Sequence, residues 1–504
     1  MVQMSGSDNR NKKMIGILFY AGIFFFCCIF FSQVHPLVPY DMDDWLYVGW
    51  RRNAYPLWKD WNPARVFPET FMSLISDLGV FVLKPVFHLE YLHALILAHA
   101  MTVGGFITVY MFMFRRFLQK RLRSEEAAAY LLTLLFLLFH FSIFRREHSG
   151  NQHLFWTFNL TGYYYYVLPN LMNASLVLFL AGTGREARQR LSLFQQGVLL
   201  LAVYLAVFSN LFSSVILAVW FAGEMLSDLW EDLQSKRKTK APIWLREHLW
   251  HIGTLALWLV SLVYEANGGR AEGAGGIALW ESIQKFLAWG GKLNLQTTAL
   301  SVLLIAAALA VWCMDCRKAA REKRSKAAVK SGMPIPVLIF GTLVSAVFEV
   351  LLCAKVGTDK LEICRVIFSV CFFAFMIIFS SAAYLLKRQP YLTVLLPLIL
   401  YVLLMNTRIG EHVFLEANGI DLDARLCIAI DRDIIEQAIA ADRAGLDEAL
   451  IYVPLEEEEE NWPHVIRMGS ALSQTLYKHG IISRRIDLTA VPDHAVNERF
   501  GLGY

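Results

Sequence analysis

The sequence predicts a mostly α-helical, polytopic membrane bundle with a small α/β domain at its C-terminus, and three observations predict it. Hydrophobic residues make up 56% of the 504-residue chain and charged residues only 18%, against roughly half and about 25% in soluble domains; mean hydropathy is +0.44. The apolar residues gather into runs of about 20, enough at ~1.5 Å per residue to cross a ~30 Å hydrocarbon core. Lys and Arg are rich in alternate connections between these runs and sparse in the others, the partition that positive-inside sorting produces.

Residues 1–13 are polar and carry Arg10, Lys12 and Lys13, and residues 14–34 are almost wholly apolar. This is the pattern of a signal anchor with a cytoplasmic N-terminus, retained because no small-x-small cleavage site precedes His35-Pro36. Residues 35–89 form a long first outer loop rich in Trp, Pro and charge, in which Leu74–Phe87 is apolar enough to dip into the interface. Further spans are expected near 90–114, 126–144, 164–183, 191–208, 211–229, 247–265, 293–314, 334–353, 366–386 and 391–406, which makes about eleven. Even-numbered connections hold the basic clusters: Arg115 to Arg123, Arg185 to Arg190, Lys236 to Lys240, Arg317 to Lys330, and Lys387-Arg388. An odd span count places the C-terminus outside the inner (plasma) membrane.

Residues 407–504 lose the membrane composition and read as a small α/β unit. A strand is expected over Arg425–Ile430, a helix over Arg432–Ala444 ended by Gly445, and a second strand over Leu450–Val453. The acidic run Glu456–Glu460 reads as a solvated loop, because like charges repel. The eight cysteines are scattered and suggest no disulfide framework. Cys313 and Cys316 have CxxC spacing but lack a second pair or a His pair to complete a zinc site. A net charge of +4 gives no sign of nucleic-acid binding, and no such partner is expected.

Chemistry-bearing residues collect in the outer connections. Tyr40 to Tyr47 puts Asp41, Asp43 and Asp44 just past the first apolar run, where carboxylates mark a functional site or an acidic helix cap. Arg51, Arg52 and Arg65 share that loop. The second outer connection holds Arg145 to His153, including His148, followed by Trp156, Gly162 and Tyr163 to Tyr166. Trp156 offers a face for a sugar ring, Gly162 admits a ligand to the backbone, and most of the four tyrosines read as interfacial belt residues. The fourth carries Arg270 among glycines, and the fifth ends on Arg365 at a membrane lip, placed either to snorkel or to bind phosphate. Carboxylates, guanidinium groups and aromatic faces on one outer surface suit the transfer of a group from a lipid phosphate to a polar acceptor. No GxxxxGK[ST] loop is present, which argues against a nucleotide-driven pump.

A cationic first span, an acidic pair in the first outer loop, many spans and an outer C-terminal domain resemble the GT-C class of polytopic glycosyltransferases. Within it the chain is similar to a bacterial group related to polyprenyl-phosphate-sugar-dependent transferases. The matching segments are Asp43-Asp44-Trp45, Phe155 to Gly162 with Tyr166 and Pro169, Ala266 to Arg270, and Glu362 to Arg365. The resemblance implies an inverting transfer from a polyprenyl-phosphate-linked sugar to a glycan or lipid acceptor, with a first-loop acid as general base. Adjacent side chains diverge by ~100° in a helix, so one of Asp43 and Asp44 is the expected base, Asp43 ahead, and the other orients acceptor or metal, with Asp41 the third candidate. Some members of the class hold a divalent cation (Mg or Mn) through such acids and others do not, and Asp43 and Asp44 are the expected ligands where one is held. Arg365, Arg270 and Arg65 are the expected donor-phosphate ligands, and His148, Trp156, Gly162 and Tyr166 the expected substrate contacts. Trp45 is expected to anchor at the interface. The rival is a lipid-linked glycan transporter or flippase, which would place charge near the midplane on broken, repeated helices; the sequence has no internal repeat. A non-catalytic scaffold would have a bland first loop.

Overall fold

A computed structural model describes residues 6–52, 63–145, 153–184, 190–235, 244–245, 247–267, 277–321, 335–406, 416–417, 422–457 and 459–503. Among them the chain is mostly helical with a little sheet. Helix α1 (Gly6–Ile29) runs on through a π-helical turn, Phe30–Val34. A short α2 (Met42–Gly49) follows, then α3 (Val66–Leu78), which continues as helical turns to Phe87. The bundle adds α4 (Tyr91–Phe117), α5 (Glu126–Ser142), α6 (Leu168–Thr183), α7 (Leu193–Val207), α8 (Leu211–Ser235) and α9 (Leu249–Ala266). It is completed by α10 (Leu279–Lys292), α11 (Leu295–Arg321), α12 (Ile335–Val356), α13 (Phe368–Arg388) and α14 (Leu396–Asn406).

Nine of the described helices are long and apolar enough to cross a membrane, as expected of a multi-pass membrane protein. Three of the expected spans fall short: Glu126–Ser142, Leu193–Val207 and Pro390–Met405 have 10–17 residues, or at most ~25 Å of helix. Conversely, Val66–Phe87 qualifies by length and hydropathy, where only an interfacial dip was expected. Its polar side chains nonetheless meet other parts of the chain. Tyr165 donates to Glu69, and Lys478 reaches both Ser73 and Asp77. The opposite stripe, Leu74, Leu78, Val82 and Val86, is exposed. Helix α10 was not anticipated; it is amphipathic, with Trp280 and Leu287 outward and Trp289 buried, its indole donating to the Leu361 carbonyl.

The core follows helical spacing. Along α4 the residues Leu92, Leu95, Val103, Ile107, Tyr110 and Phe114 are buried, and α4 packs on α1, α3 and α6. Phe114 stacks on Phe136 of α5 at 3.8 Å. A second group packs α8, α11, α12 and α13 together. Lipid is as apolar as these side chains, so close packing rather than hydrophobic burial holds helices of this kind together.

The C-terminal part begins with a two-residue ladder of β1 (Glu416–Ala417) and β2 (Leu422–Asp423). Then come α15 (Ala424–Arg443), β3 (Glu448–Pro454), α16 (Met468–Lys478), β4 (Asp487–Asp493) and α17 (His494–Phe500). Strands β3 and β4 pair in parallel, from Glu448 opposite Asp487 to Pro454 opposite Asp493, with α16 as the crossover that parallel pairing requires. The expected second strand lies within β3, but the strand expected over Arg425–Ile430 is helical. Asp423 caps α15 by accepting from the Arg425 N–H at 2.7 Å. Ala424, Cys427, Ile430, Ile434, Ala438 and Ala441 then form one buried stripe at three- and four-residue spacing, a helical period that outweighs a short apolar run.

Candidate functional site

Helix α2 is placed by its own first turn. Asp41 is its N-cap, with Oδ1 accepting from the Asp44 N–H at 2.8 Å and Oδ2 from the Asn159 amide at 2.8 Å. Asp44 lies wholly inside. Its Oδ1 accepts from the Thr161 N–H at 2.6 Å, and Oδ2 from those of Leu160 and Tyr40 at 3.1 and 3.3 Å. Asn159 caps the single helical turn Leu160–Gly162 by accepting from the Gly162 N–H at 2.9 Å. Two buried carboxylates thus clamp the first loop to residues 159–162. Burial first, and then the charge of Asp44, hold Asp41 well above the usual carboxylate range. Burial raises Asp44 too, against the opposing hydrogen bonds from Thr161, Leu160 and Tyr40.

Asp43 differs. It stands on the half-open face of α2 with Leu46 and Tyr47, and the Tyr47 ring lies 5.6 Å from that of Tyr165. Asp43 and Asp44 therefore point to different sides of the helix. The Asp44 oxygens are ringed by N–H dipoles whose positive ends already neutralise the carboxylate, so the pair does not fit a shared divalent ion. Among the described residues no three His, Cys, Asp or Glu side chains converge as a metal-binding group.

Segment 157–162 carries the site across to the connection between α12 and α13. The Arg365 Nη1 donates to the Thr157 hydroxyl. Its guanidinium lies over the rings of Phe158 and Tyr166, at 4.8 and 4.7 Å. Arg365 does not snorkel: it is 5% exposed, and Nε is buried with no hydrogen-bond partner among the described residues. Burial pushes the guanidinium below its usual value, and among the described residues the groups that bear on its charge are Tyr166, Cys364 and Tyr163. A buried cation without a counter-ion costs several kcal/mol, a cost that a bound anion would relieve. Thr157 leaves no room for a side chain at Gly162, where a Cβ would meet the Thr157 Oγ1 at 2.1 Å.

Other expected site residues have structural roles. Arg65 makes a two-pronged pair with Glu265, its Nε reaching Oε1 at 3.0 Å, so its fork is filled. Trp156 is buried, and its carbonyl accepts from Cys364 Sγ at 3.8 Å. Tyr163 and Tyr164 are internal rather than belt residues, and Tyr165 donates to Glu69 at 2.9 Å. His148 and Arg270 lie outside the described residues.

Trp45 is not an interfacial anchor. It is wholly buried, and its indole N–H donates to Asp431 of α15 at 3.3 Å. The Thr475 hydroxyl of α16 donates to the Trp45 carbonyl at 2.7 Å. Asp431 is buried beside Asp44 and Asp41, and burial holds it well above the usual carboxylate range. The buried His464 ring lies 4.6 Å from that of Tyr40, edge to face. The sequence offered no signal for Asp431 or His464, because their burial depends on a domain docking onto a loop nearly the whole chain away. Asn159 and Thr157 were readable as an Asn cap with a neighbouring hydroxyl. No family model, curated protein or solved structure matches the chain.

Proposed function

We propose that the protein is an integral-membrane glycosyltransferase that moves a sugar from a polyprenyl-phosphate donor to a cell-envelope glycan or lipid. The observation that carries this reading is Arg365, a buried guanidinium with aromatic faces beside it and, among the described residues, no carboxylate paired with it. It is tied through Thr157 and residues 159–162 to the carboxylate loop. A guanidinium fork matches phosphate oxygens, and its charge would stabilise the leaving phosphate as the bond breaks.

In this reading Asp43 takes the acceptor hydroxyl proton while that oxygen attacks the anomeric carbon. The anomeric C–O bond to phosphate breaks, its electron pair leaves with the polyprenyl phosphate, and the configuration inverts. Asp44 and Asp41 hold the loop, and Tyr166 faces the donor beside Arg365. Contacts of Val66–Phe87 with the C-terminal domain along its length support an interfacial course for that segment. With it set aside, eight long apolar helices remain, and a cytoplasmic N-terminus with the C-terminal domain outside the plasma membrane, as this reading has it, needs one or all three of the shorter apolar helices to cross as well.

One observation favours a carrier for lipid-linked glycans instead. Glu349 is buried within α12, accepts from Ser369, and has a second oxygen without a partner among the described residues; intramembrane acids often mark transport paths. Purified protein in lipid, incubated with a panel of polyprenyl-phosphate sugars and candidate acceptors, separates the two. Free polyprenyl phosphate together with a glycosylated product, both lost in Arg365→Gln, is expected. Movement of intact donor across vesicles without bond cleavage would replace this reading with the carrier.

A further inference from the structure

We infer that α10 docks on the bilayer surface with its Ile277, Trp280 and Leu287 face in lipid, and straps the connection between α12 and α13 to that surface. The three side chains are 73, 69 and 69% exposed and, at spacings of three and seven, share one face of the helix. Two residues join α10 to α11. Leu293 is extended, and the Asn294 side chain caps α11 by accepting from the Gln296 and Thr297 N–H groups at 3.0 and 3.1 Å. Among the described helices long enough to cross a membrane, α11 is the least enclosed by protein, with Val302, Leu303 and Leu309 exposed, so hydrocarbon covers it. Helix α10 therefore ends where α11 enters the hydrocarbon, and the lipid that covers α11 is continuous with the apolar face of α10. A tryptophan on such a face suits the headgroup level, where the ring is buried and the indole N–H stays wet.

The charges of α10 are engaged within the protein. Glu281 accepts from the Thr358 hydroxyl at 2.6 Å, Lys285 reaches Glu362 at 3.1 Å, and the Lys292 ammonium lies 4.8 Å from the centre of the Trp289 ring. Both lysines are occupied in this way, so apolar contact rather than attraction to anionic headgroups drives the docking. The Trp289 indole donates to the Leu361 carbonyl at 2.5 Å, and the Ala278 N–H to that of Ala354 at 3.0 Å. The inner side of α10 thus grips residues 354–362, three positions short of Arg365. Its far end is fixed as well, with the Arg145 N–H donating to the Lys292 carbonyl at 2.7 Å. A helix held by lipid on one side and by these bonds on the other sets the depth of that connection, whatever Arg365 binds.

The test uses the full-length protein in phosphatidylcholine vesicles, without native cysteines, carrying an environment-sensitive dye on a single cysteine at position 280 or 287. A nitroxide near the lipid headgroup should quench both dyes more than one near the end of the acyl chain, and aqueous iodide should quench neither. Adding phosphatidylglycerol should leave this pattern unchanged. Trp280→Ser with Leu287→Ser keeps every inward contact, so it should melt as the wild type does in detergent. In vesicles its amides over 358–363 should exchange hydrogen about tenfold faster, because the strap has lost its hold on lipid. Iodide quenching at both positions, stronger quenching by the deep nitroxide, a need for phosphatidylglycerol, or a disulfide between two copies at position 280 would each overturn the docking. Unaltered exchange in the double variant would overturn the strap. Should that variant melt differently, the dyes on the two exposed positions decide.

Discussion

Asp43 stands on the half-open face of α2, and the carboxylate beside it is enclosed by three backbone N–H groups; that difference decides what each can do. A general base must reach a substrate proton, and a positioned one contributes about 10²- to 10⁴-fold. Asp43→Asn should therefore lower turnover at least ~10²-fold with donor binding kept, whereas Asp44→Asn should lower the melting temperature by unclamping the loop. Equal turnover in Asp43→Asn and wild type would remove Asp43 from the mechanism. Asp431 makes a prediction through its proton. Its carboxyl is held above the ordinary 3.8 by burial, so the folded state keeps a proton that the unfolded chain releases. Its contribution to stability is full below 3.8 and is lost as pH rises through the raised value. Asp431→Asn keeps an acceptor for Trp45 and cannot ionise. Its melting temperature relative to wild type should therefore rise as the pH climbs above 4; a flat difference would mean that Asp431 is charged in the fold. The buried His464, pushed down to about 3, biases the wild-type curve the other way, losing stability as pH falls below 6.5. Only the difference between variant and wild type isolates Asp431. The three loop aspartates and Arg365 were legible as chemistry-bearing residues, but which of them faces outward was not, because adjacent positions differ only once a helix has been docked.

At the scale of elements, α2 and α16 meet through a glycine. A Cβ on Gly49 would lie 1.9 Å from the Thr475 Oγ1 and 2.8 Å from its Cα, so the two helices touch backbone to side chain. Gly49→Ala should force them apart at a cost of about 1–3 kcal/mol. The melting temperature should fall, and α16 should become cleavable by protease while the membrane helices stay protected. An unchanged digestion pattern would show that the contact is slack. Eight of the nine long apolar helices were readable because each carries a long apolar run, while Val66–Phe87 was expected only to dip and three expected spans fall short. The first turns of α15 were not, since Leu426, Ile428 and Ile430 alternate over a stretch too short to separate the two periods. Helix α10 was hidden by the glycine run before it, which reads as linker.

For the whole molecule, the C-terminal domain rests on the first loop and on Val66–Phe87, through Trp45, Ser73 and Asp77. If α1 crosses the bilayer, Lys12 and the exposed Tyr477 must lie on opposite faces, however many later helices cross. Single cysteines at these two positions, in a background without native cysteines, should react with impermeant reagent from opposite sides of sealed vesicles. Labelling of both from one side would overturn the arrangement. The Lys and Arg partition carries the same expectation. The seat of the C-terminal domain was not legible, because no local pattern encodes a contact spanning 386 residues. That separation also has a consequence in time. At roughly 5–20 residues per second of synthesis, the partner of Trp45 emerges on the order of 20–80 s after the tryptophan itself. Until then α2 lacks its seat, so a chain cut short before Asp431 carries the first-loop aspartates in an unfinished enclosure.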